Sequence, residues 1–204
     1  MLSDGNCTLI PIIITMKIIL ASNSPRRSEL LAGLDIDFDV KVLPDISEDY
    51  PADTPTEKIA EFIAQKKAEA YLSILNDDEL VITADTVVVV DDAVLGKPTD
   101  EADAKRMLQL ISGRSHQVIT GVCLTTKHQQ HHFSVNTDVT FKRLSADEID
   151  YYVKNYRPFD KAGAYGIQEW IGYVGVTSIN GSYFNVMGLP VQRIWKELQT
   201  FHNQ

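Results

Sequence analysis

The octapeptide Leu20-Ala21-Ser22-Asn23-Ser24-Pro25-Arg26-Arg27 brings a serine-rich turn, a helix start and two adjacent guanidinium groups into one short stretch. The apolar run from Met16 to Ala21 has the character of a buried strand. Ser24 is a preferred N-cap, and Pro25 suits the first helical position, where its missing N–H costs nothing. The helix is therefore expected to begin at Pro25, its free N–H groups and positive dipole end lying beyond the strand. Arg26 and Arg27 add two fixed charges and bidentate forks there, a design for holding phosphate. The plainer reading of the same residues is a capped surface helix with two solvated arginines.

Three more features carry charge at expected strand ends or loops, where α/β folds place their ligands. They are the acidic loop with Asp45 and Glu48, Asp85 at a strand terminus, and Lys97 in the break Gly96-Lys97-Pro98. Cations beside carboxylates suit a metal-bound polyphosphate: Mg²⁺ takes one or two carboxylates plus phosphate oxygens, and lysine and arginine meet the remaining negative charge. Taken singly each is weak, since Asp85 alone reads as a turn residue and Lys97 alone as a solvated one. Lys66 and Lys67 fill a gap in an otherwise apolar helical stripe. Helical spacing allows one of them to face a cleft, or both to run along the flank to solvent, and does not choose.

The elements that must position these groups follow from periodicity and punctuation. A second strand is expected over Phe38 to Leu43, followed by the loop Pro44 to Asp53. Thr54-Pro55-Thr56-Glu57 has the form of a capping box opening a helix to about Leu75, with Ile59, Phe62, Ile63, Ala70 and Ile74 as its stripe. Leu80 to Ala84 reads as a strand ending at Asp85-Thr86, with extended chain to Val90 and a turn at Asp91-Asp92. A helix from about Asp100 to Ile111 buries Ala104, Met107, Leu108 and Ile111. His116 to Thr126 and Phe133 to Leu144 pair as a hairpin around Lys127 to Gln130. His128, His131 and His132 are expected at its polar tip rather than in a metal cluster. Ser145 to Glu148 is a second capping box, before a helix burying Ile149, Tyr152, Val153 and Tyr156, with Tyr151 and Tyr152 as core or rim. Gly163, Gly166, Gly172, Gly175, Gly181 and Gly188 cluster late in the chain, so backbone comes close to something there. Asn180-Gly181 marks a turn, and Pro190 opens a last helix with Val191, Ile194, Trp195 and Leu198 inward.

With 204 residues, 44% hydrophobic and 23% charged, the chain suits one α/β domain over 16–204 behind an N-terminal extension, 1–15. A net charge of -9 argues against a nucleic-acid backbone or an anionic membrane as partner, while leaving room for a small anion in a local basic cleft. Cys7 and Cys123 show no metal-ligand spacing, which suits a reducing cytoplasm. Residues 1–15 are acidic where a signal peptide is basic, and Pro11 breaks their apolar run, so they read as an alternative start or an extra edge strand. No run is long enough to suggest a membrane span.

On six motifs the chain resembles the Maf-like nucleoside triphosphate pyrophosphatases, from about Met16 to the last helix. They are LASNSPRR (Leu20 to Arg27), ADTVV (Ala84 to Val88), LGKP (Leu95 to Pro98), SGRSHQVITGV (Ser112 to Val122), DKAGAYGIQ (Asp160 to Gln168) and INGSYFNVMGLP (Ile179 to Pro190). The resemblance implies a single elongated α/β domain with a central mixed twisted sheet flanked by helices, similar to the inosine triphosphatases. It implies hydrolysis of a nucleoside triphosphate to monophosphate and pyrophosphate with Mg²⁺ or Mn²⁺. By match of position, Asp85 is the catalytic aspartate, either as the base that takes the water proton or as a ligand of the metal that acidifies that water, Glu48 is the acidic metal position, and Arg27, Lys67 and Lys97 are the phosphate-binding cations beside Ser22. The match thus selects Lys67 over Lys66. Arg26, Thr86 and Gln168 fall on the base-selecting positions and resemble the branch acting on dTTP and UTP. Similar proteins are often homodimers. Asp45-Ile46-Ser47-Glu48 replaces the family's usual Asp-Ile-Asp-Glu, implying one acidic contact fewer, and Glu169-Trp170 replaces small residues after Gln168. The alternative function class is a nucleotide-binding regulator of cell division that does not hydrolyse its ligand, and intact Asp85, Glu48 and Lys97 argue against it.

Overall fold

The structure is a computed structural model and describes residues 16–201. The expected extension, 1–15, lies outside the described residues. Seven strands form one mixed sheet: β1 (Lys17–Leu20), β2 (Phe38–Val40), β3 (Glu79–Val90), β4 (Ala93–Leu95), β5 (Ser115–Thr125), β6 (Gln130–Phe141) and β7 (Val176–Asn180). Their order is β2-β1-β3-β5-β6-β7, with β4 paired to β3 beside that path. β1 runs parallel to β2 and β3, and the remaining pairs are antiparallel.

Helices cover both faces: α1 (Pro25–Ala32), α2 (Thr56–Glu69), α3 (Glu101–Ile111), α4 (Ala146–Tyr156), α5 (Trp170–Gly175), α6 (Tyr183–Met187) and α7 (Val191–Phe201). Alternation along β3 divides the core between the faces. Val87 and Val89 pack with Ile59, Ala60 and Ile63 of α2, whereas Ile82 and Ala84 pack with Leu30 and Leu31 of α1 and Ile194 of α7. The expected face of α3 is buried throughout, and Ser145 and Glu148 form the expected capping box of α4.

Several expectations are corrected. Asp85 does not end a strand, because β3 runs unbroken from Glu79 to Val90. What ends there is its neighbour. β1 pairs with β3 only as far as Leu20 opposite Ile82, and β4 covers β3 only from Val88 to Val90, so the stretch of β3 between them has no strand on that edge. α2 begins at Thr56 with Pro55 as its extended cap and no side-chain cap bond, so the expected capping box is not formed. The helix stops at Glu69, after which the chain tightens into three-residue turns such as Ile74 N–H to Tyr71 C=O. The buried Tyr71 hydroxyl donates to Lys41 C=O at 2.9 Å and accepts from Leu43 N–H at 3.0 Å. Those bonds claim backbone that would otherwise extend β2, which stops at Val40. Phe62, Ile74 and Tyr156 are exposed, and Trp195 is only partly buried. His131 and His132 lie on β6, each paired with a carboxylate, Glu197 and Glu61, and only His128 sits at the tip.

Candidate active site

The uncovered edge of β3 opens a cleft of about 780 Å³, within the usual range for small-molecule sites. All nine residues singled out from the sequence line it: Ser22, Arg26, Arg27, Glu48, Lys67, Asp85, Thr86, Lys97 and Gln168. They come from the turn between β1 and α1, α1 itself, the loop after β2, α2, β3, the turn after β4 and the glycine-rich segment, and they fall into distinct networks.

The first network gathers carboxylates about a lysine. Asp85 points to the α2 face of β3, where Lys67 Nζ lies 2.8 Å from Asp85 Oδ1 and 2.7 Å from Glu48 Oε1. Lys97 Nζ is 3.9 Å from Glu48 Oε2. Partial burial pushes the Glu48 carboxyl up, but the hydrogen bond and charge of Lys67, aided by Lys97 and Arg27, outweigh it and hold that carboxyl below the usual range. Lys66 takes a different role. Its Nζ reaches Ser47 Oγ at 3.1 Å and Asp49 C=O at 2.9 Å, clamping the loop that carries Glu48. Ser47 thus serves as a clamp point for that loop.

The second network locks α1 to the sheet. Arg27 Nε donates to Gly188 C=O and Nη1 to Ala84 C=O, both at 2.8 Å, and Nη2 donates to Thr86 Oγ1 at 3.2 Å. Ala84 C=O is one of the edge groups left where β1 ends, so the guanidinium does there what a strand would have done. Desolvation pulls the Arg27 pKa down, against the raising influence of Asp85. The fork expected to meet phosphate is largely spent on protein oxygens. Thr120 Oγ1 donates to Asn185 C=O at 3.1 Å, so in its 3.0 Å contact with Thr86 the latter must be the donor. Thr86 therefore shapes the cleft with both its hydrogen and one lone pair already engaged.

A third network holds Arg26, whose Nη1 lies 2.8 Å from Asp160 Oδ2. In the same cleft, Gln168 Oε1 is buried without a hydrogen-bond partner among the described residues. The α1 cap position makes no side-chain bond. Ser22 Oγ instead accepts from Ser24 N–H at 3.2 Å.

Glu48 and Asp85 fit a divalent cation by their chemistry: two hard carboxylates already share one positive nitrogen. Among the described residues no group of three or more His, Cys, Asp or Glu forms a closed site, and Mg²⁺ completed by substrate oxygens needs none. No described helix is long and apolar enough to cross a membrane.

The family model described as Maf-like protein matches residues 17–201. The chain belongs to the Maf-like family. A dTTP/UTP pyrophosphatase of Phocaeicola vulgatus is 61% identical over 183 residues, 90% of this chain and 95% of that protein. Proteins of the same name from Bacteroides fragilis and Porphyromonas gingivalis are 58% and 56% identical, over 90% and 91% of this chain and 95% and 94% of theirs. Among solved structures, the Staphylococcus aureus Ham1 protein is similar at a TM-score of 0.44 and 18% identity, covering 61% of this chain and 71% of that one, a likeness too loose to bear on function.

This Maf-like protein also uses residues to which sequence reasoning gave no part in the site. Gly121 lies opposite Asp85 on β5, and a Cβ there would sit 2.3 Å from the backbone of Ala60 and Glu61. Its bareness lets α2 approach and bring Lys67 to Asp85. Gly188, at φ +115°, presents the carbonyl that anchors Arg27. An isolated glycine in a strand pattern was the available signal for Gly121. Thr120 and Asn185 lie within the motifs SGRSHQVITGV and INGSYFNVMGLP, but nothing in the sequence assigned either a role of its own.

Proposed function

We propose that this Maf-like protein cleaves dTTP and UTP to the monophosphate and pyrophosphate. The observation that carries the reading is Lys67 between Glu48 and Asp85, in a cleft that also holds Arg26, Lys97 and Gln168. The curated relatives' names support the choice of nucleotide.

In the proposed reaction, water attacks the α-phosphorus in line. A P–O bond forms to the water oxygen, the bond from the α-phosphorus to the α,β-bridging oxygen breaks, and pyrophosphate leaves with that electron pair. Asp85, held through Oδ1 by Lys67, takes the water proton on its other oxygen. Lys67 and Lys97 stabilise charge on the departing pyrophosphate, and Arg27 keeps α1 and the edge of β3 in place. A divalent cation, Mg²⁺ or Mn²⁺, held by Glu48 and Asp85, would neutralise triphosphate oxygens.

Base choice follows from donors and acceptors. Arg26 only donates, which suits the carbonyl oxygens of uracil and thymine. The bare Gln168 Oε1 suits their N3–H. Cytosine puts an amino group where Arg26 wants an acceptor, and a mismatched buried polar group costs far more than the methyl that separates thymine from uracil. A cytoplasmic homodimer that binds neither nucleic acid nor membrane belongs to the same proposal.

The test is product analysis with Mg²⁺ and a panel of UTP, dTTP, CTP, ATP and GTP. Pyrophosphate and the nucleoside monophosphate from UTP and dTTP are expected, with CTP slower by at least about 10²-fold and chelation abolishing release. Equal turnover of CTP and UTP, orthophosphate as the product, or nucleotide binding without cleavage refutes the reading, the last outcome favouring a regulator.

A further inference from the structure

Among the described residues Arg26 has one hydrogen-bonded contact, Nη1 to Asp160 Oδ2 at 2.8 Å. Asp160 is itself held. Its Oδ1 accepts from Lys161 Nζ at 2.8 Å, so two cations share one carboxylate. Partial burial pushes the Asp160 carboxyl up, yet Lys161 and Arg26 outweigh that and hold it at about 2. The Lys161 side chain is only 9% exposed, and its Nζ also lies 3.0 Å from Glu169 Oε1. Glu169 Oε2 takes the hydroxyl hydrogen of Tyr152, and the Tyr152 oxygen accepts Gly166 N–H at 3.0 Å. Tyr152 is fully buried in α4. An alternating relay of charges therefore runs from the α4 core through Glu169, Lys161 and Asp160 to Arg26 in the first turn of α1.

The relay also fixes the neighbourhood of Gln168. A Cβ on Gly166 would lie 2.9 Å from Glu169 Cδ and 3.1 Å from Gln168 Nε2, so the bare glycine leaves those two side chains their places. A free arginine carries about 2 kcal/mol of rotamer entropy. Holding it beforehand in one orientation lets it meet a matching acceptor without that loss and refuse an amino group in the same place.

Resting on the dTTP/UTP reading, we propose that Asp160 is the positioning residue for Arg26, and that the relay of Lys161, Glu169 and Tyr152 behind it sets selection for a pyrimidine with oxygen at C4. The residues are distinct from the carboxylates and lysines of the chemical step. The released arginine turns away from the base, so the uridine ligand loses a hydrogen bond while the cytidine ligand loses a clash.

The experiment is calorimetric affinity for the α,β-imido analogues of UTP and CTP, which are not cleaved between the α and β phosphates, in the presence of Mg²⁺. Asp160→Asn keeps the size and removes the charge, and because the Asp160 side chain is 58% exposed the variant folds. The ratio of uridine to cytidine affinity is expected to contract tenfold or more. Lys161→Met should contract it in the same direction although that residue makes no contact with Arg26. A ratio within twofold of wild type in Asp160→Asn, or equal weakening of both analogues, overturns the proposal, the second result being what a general structural role would give. A wild-type protein that binds both analogues equally overturns it as well. Selective binding of the uridine analogue together with failure to release pyrophosphate from UTP sinks the hydrolytic reading and leaves this one standing.

Discussion

Replacing Lys67 by methionine separates what the lysine does for the fold from what it does for the reaction. The Lys67 and Asp85 side chains are 15% and 14% exposed, so their 2.8 Å pair is intermediate between a surface ion pair and a buried one. Exposed pairs contribute about 0–1 kcal/mol, whereas removing one partner of a buried pair costs about 3–5 kcal/mol. A cost of about 2 kcal/mol for losing this arm is the resulting expectation. The Glu48 arm adds little, because Glu48 is half exposed and keeps Lys97 at 3.9 Å. For a domain of this size about 2 kcal/mol lowers Tm by roughly 4–8 °C. Turnover falls further, by about 10²- to 10³-fold, the usual cost of one preorganised contact to charge that develops in the transition state.

The double variant Lys67→Met/Asp85→Asn removes the stranded charge. It should regain most of the lost Tm and none of the lost rate. Acid gives a second check. The Glu48 carboxyl ionises at lower pH in the folded chain than in the unfolded one. Its stabilisation is therefore complete above about pH 4.3 and is lost as pH falls through the lower, folded value. The Tm gap between wild type and Lys67→Met should accordingly narrow in acid, but only slightly, by the small share that the Glu48 arm contributes. Thermal melts and pyrophosphate release on the same preparations decide the matter. A double variant no more stable than the single one, or Lys67→Met turning over within threefold of wild type, would refute the assignment.

Gly121→Ala should cost about 1–3 kcal/mol or more, seen as a lower Tm, and should lower kcat as well, since the added carbon displaces the α2 backbone now 2.3 Å from its position. Wild-type values for both would show that α2 is not seated on that glycine. Lys66→Met breaks only exposed bonds to the Ser47 loop, so Tm should hold while KM for the nucleotide rises several-fold with kcat changed less than about threefold. Thr120→Val leaves the Asn185 carbonyl and the Thr86 hydroxyl without their partner, a loss of about 1–3 kcal/mol readable by denaturant unfolding.

The parts of the site that announced themselves were those whose chemistry is local. The turn from Ser22 to Arg27 is governed by neighbours in sequence, and so are the α3 face and the Ser145 to Glu148 box. Each formed about where its residues placed it. Helical spacing could not choose between Lys66 and Lys67, because they stand three and four residues after Ile63 and both border the apolar stripe, and only the third dimension shows one reaching Asp85 and the other Ser47. The position of Asp85 was misjudged for a related reason. Apolar, β-branched chain on both sides of it signals strand, but that β1 stops short opposite Ile82 is a property of the pairing and not of β3 itself. The Tyr71 bonds that end β2, and the Thr86–Thr120–Asn185 chain, link residues at least 28 apart, beyond the reach of any periodicity.

The two arginines that opened the sequence show how neighbouring charges come to have separate duties. Consecutive residues on a helix point about 100° apart, so Arg26 and Arg27 leave the helix in different directions. Arg27 turns to the sheet and is fixed by Gly188, Ala84 and Thr86. Arg26 turns to the glycine-rich segment and is fixed by Asp160. Each therefore ties α1 to a different wall of the cleft. Asp85 and Thr86 repeat the arrangement on β3, one facing α2 and Lys67, the other facing Arg27 and Thr120. The uncovered edge of β3 makes this workable, because at an edge without a neighbouring strand groups from both faces of a sheet can border the same space.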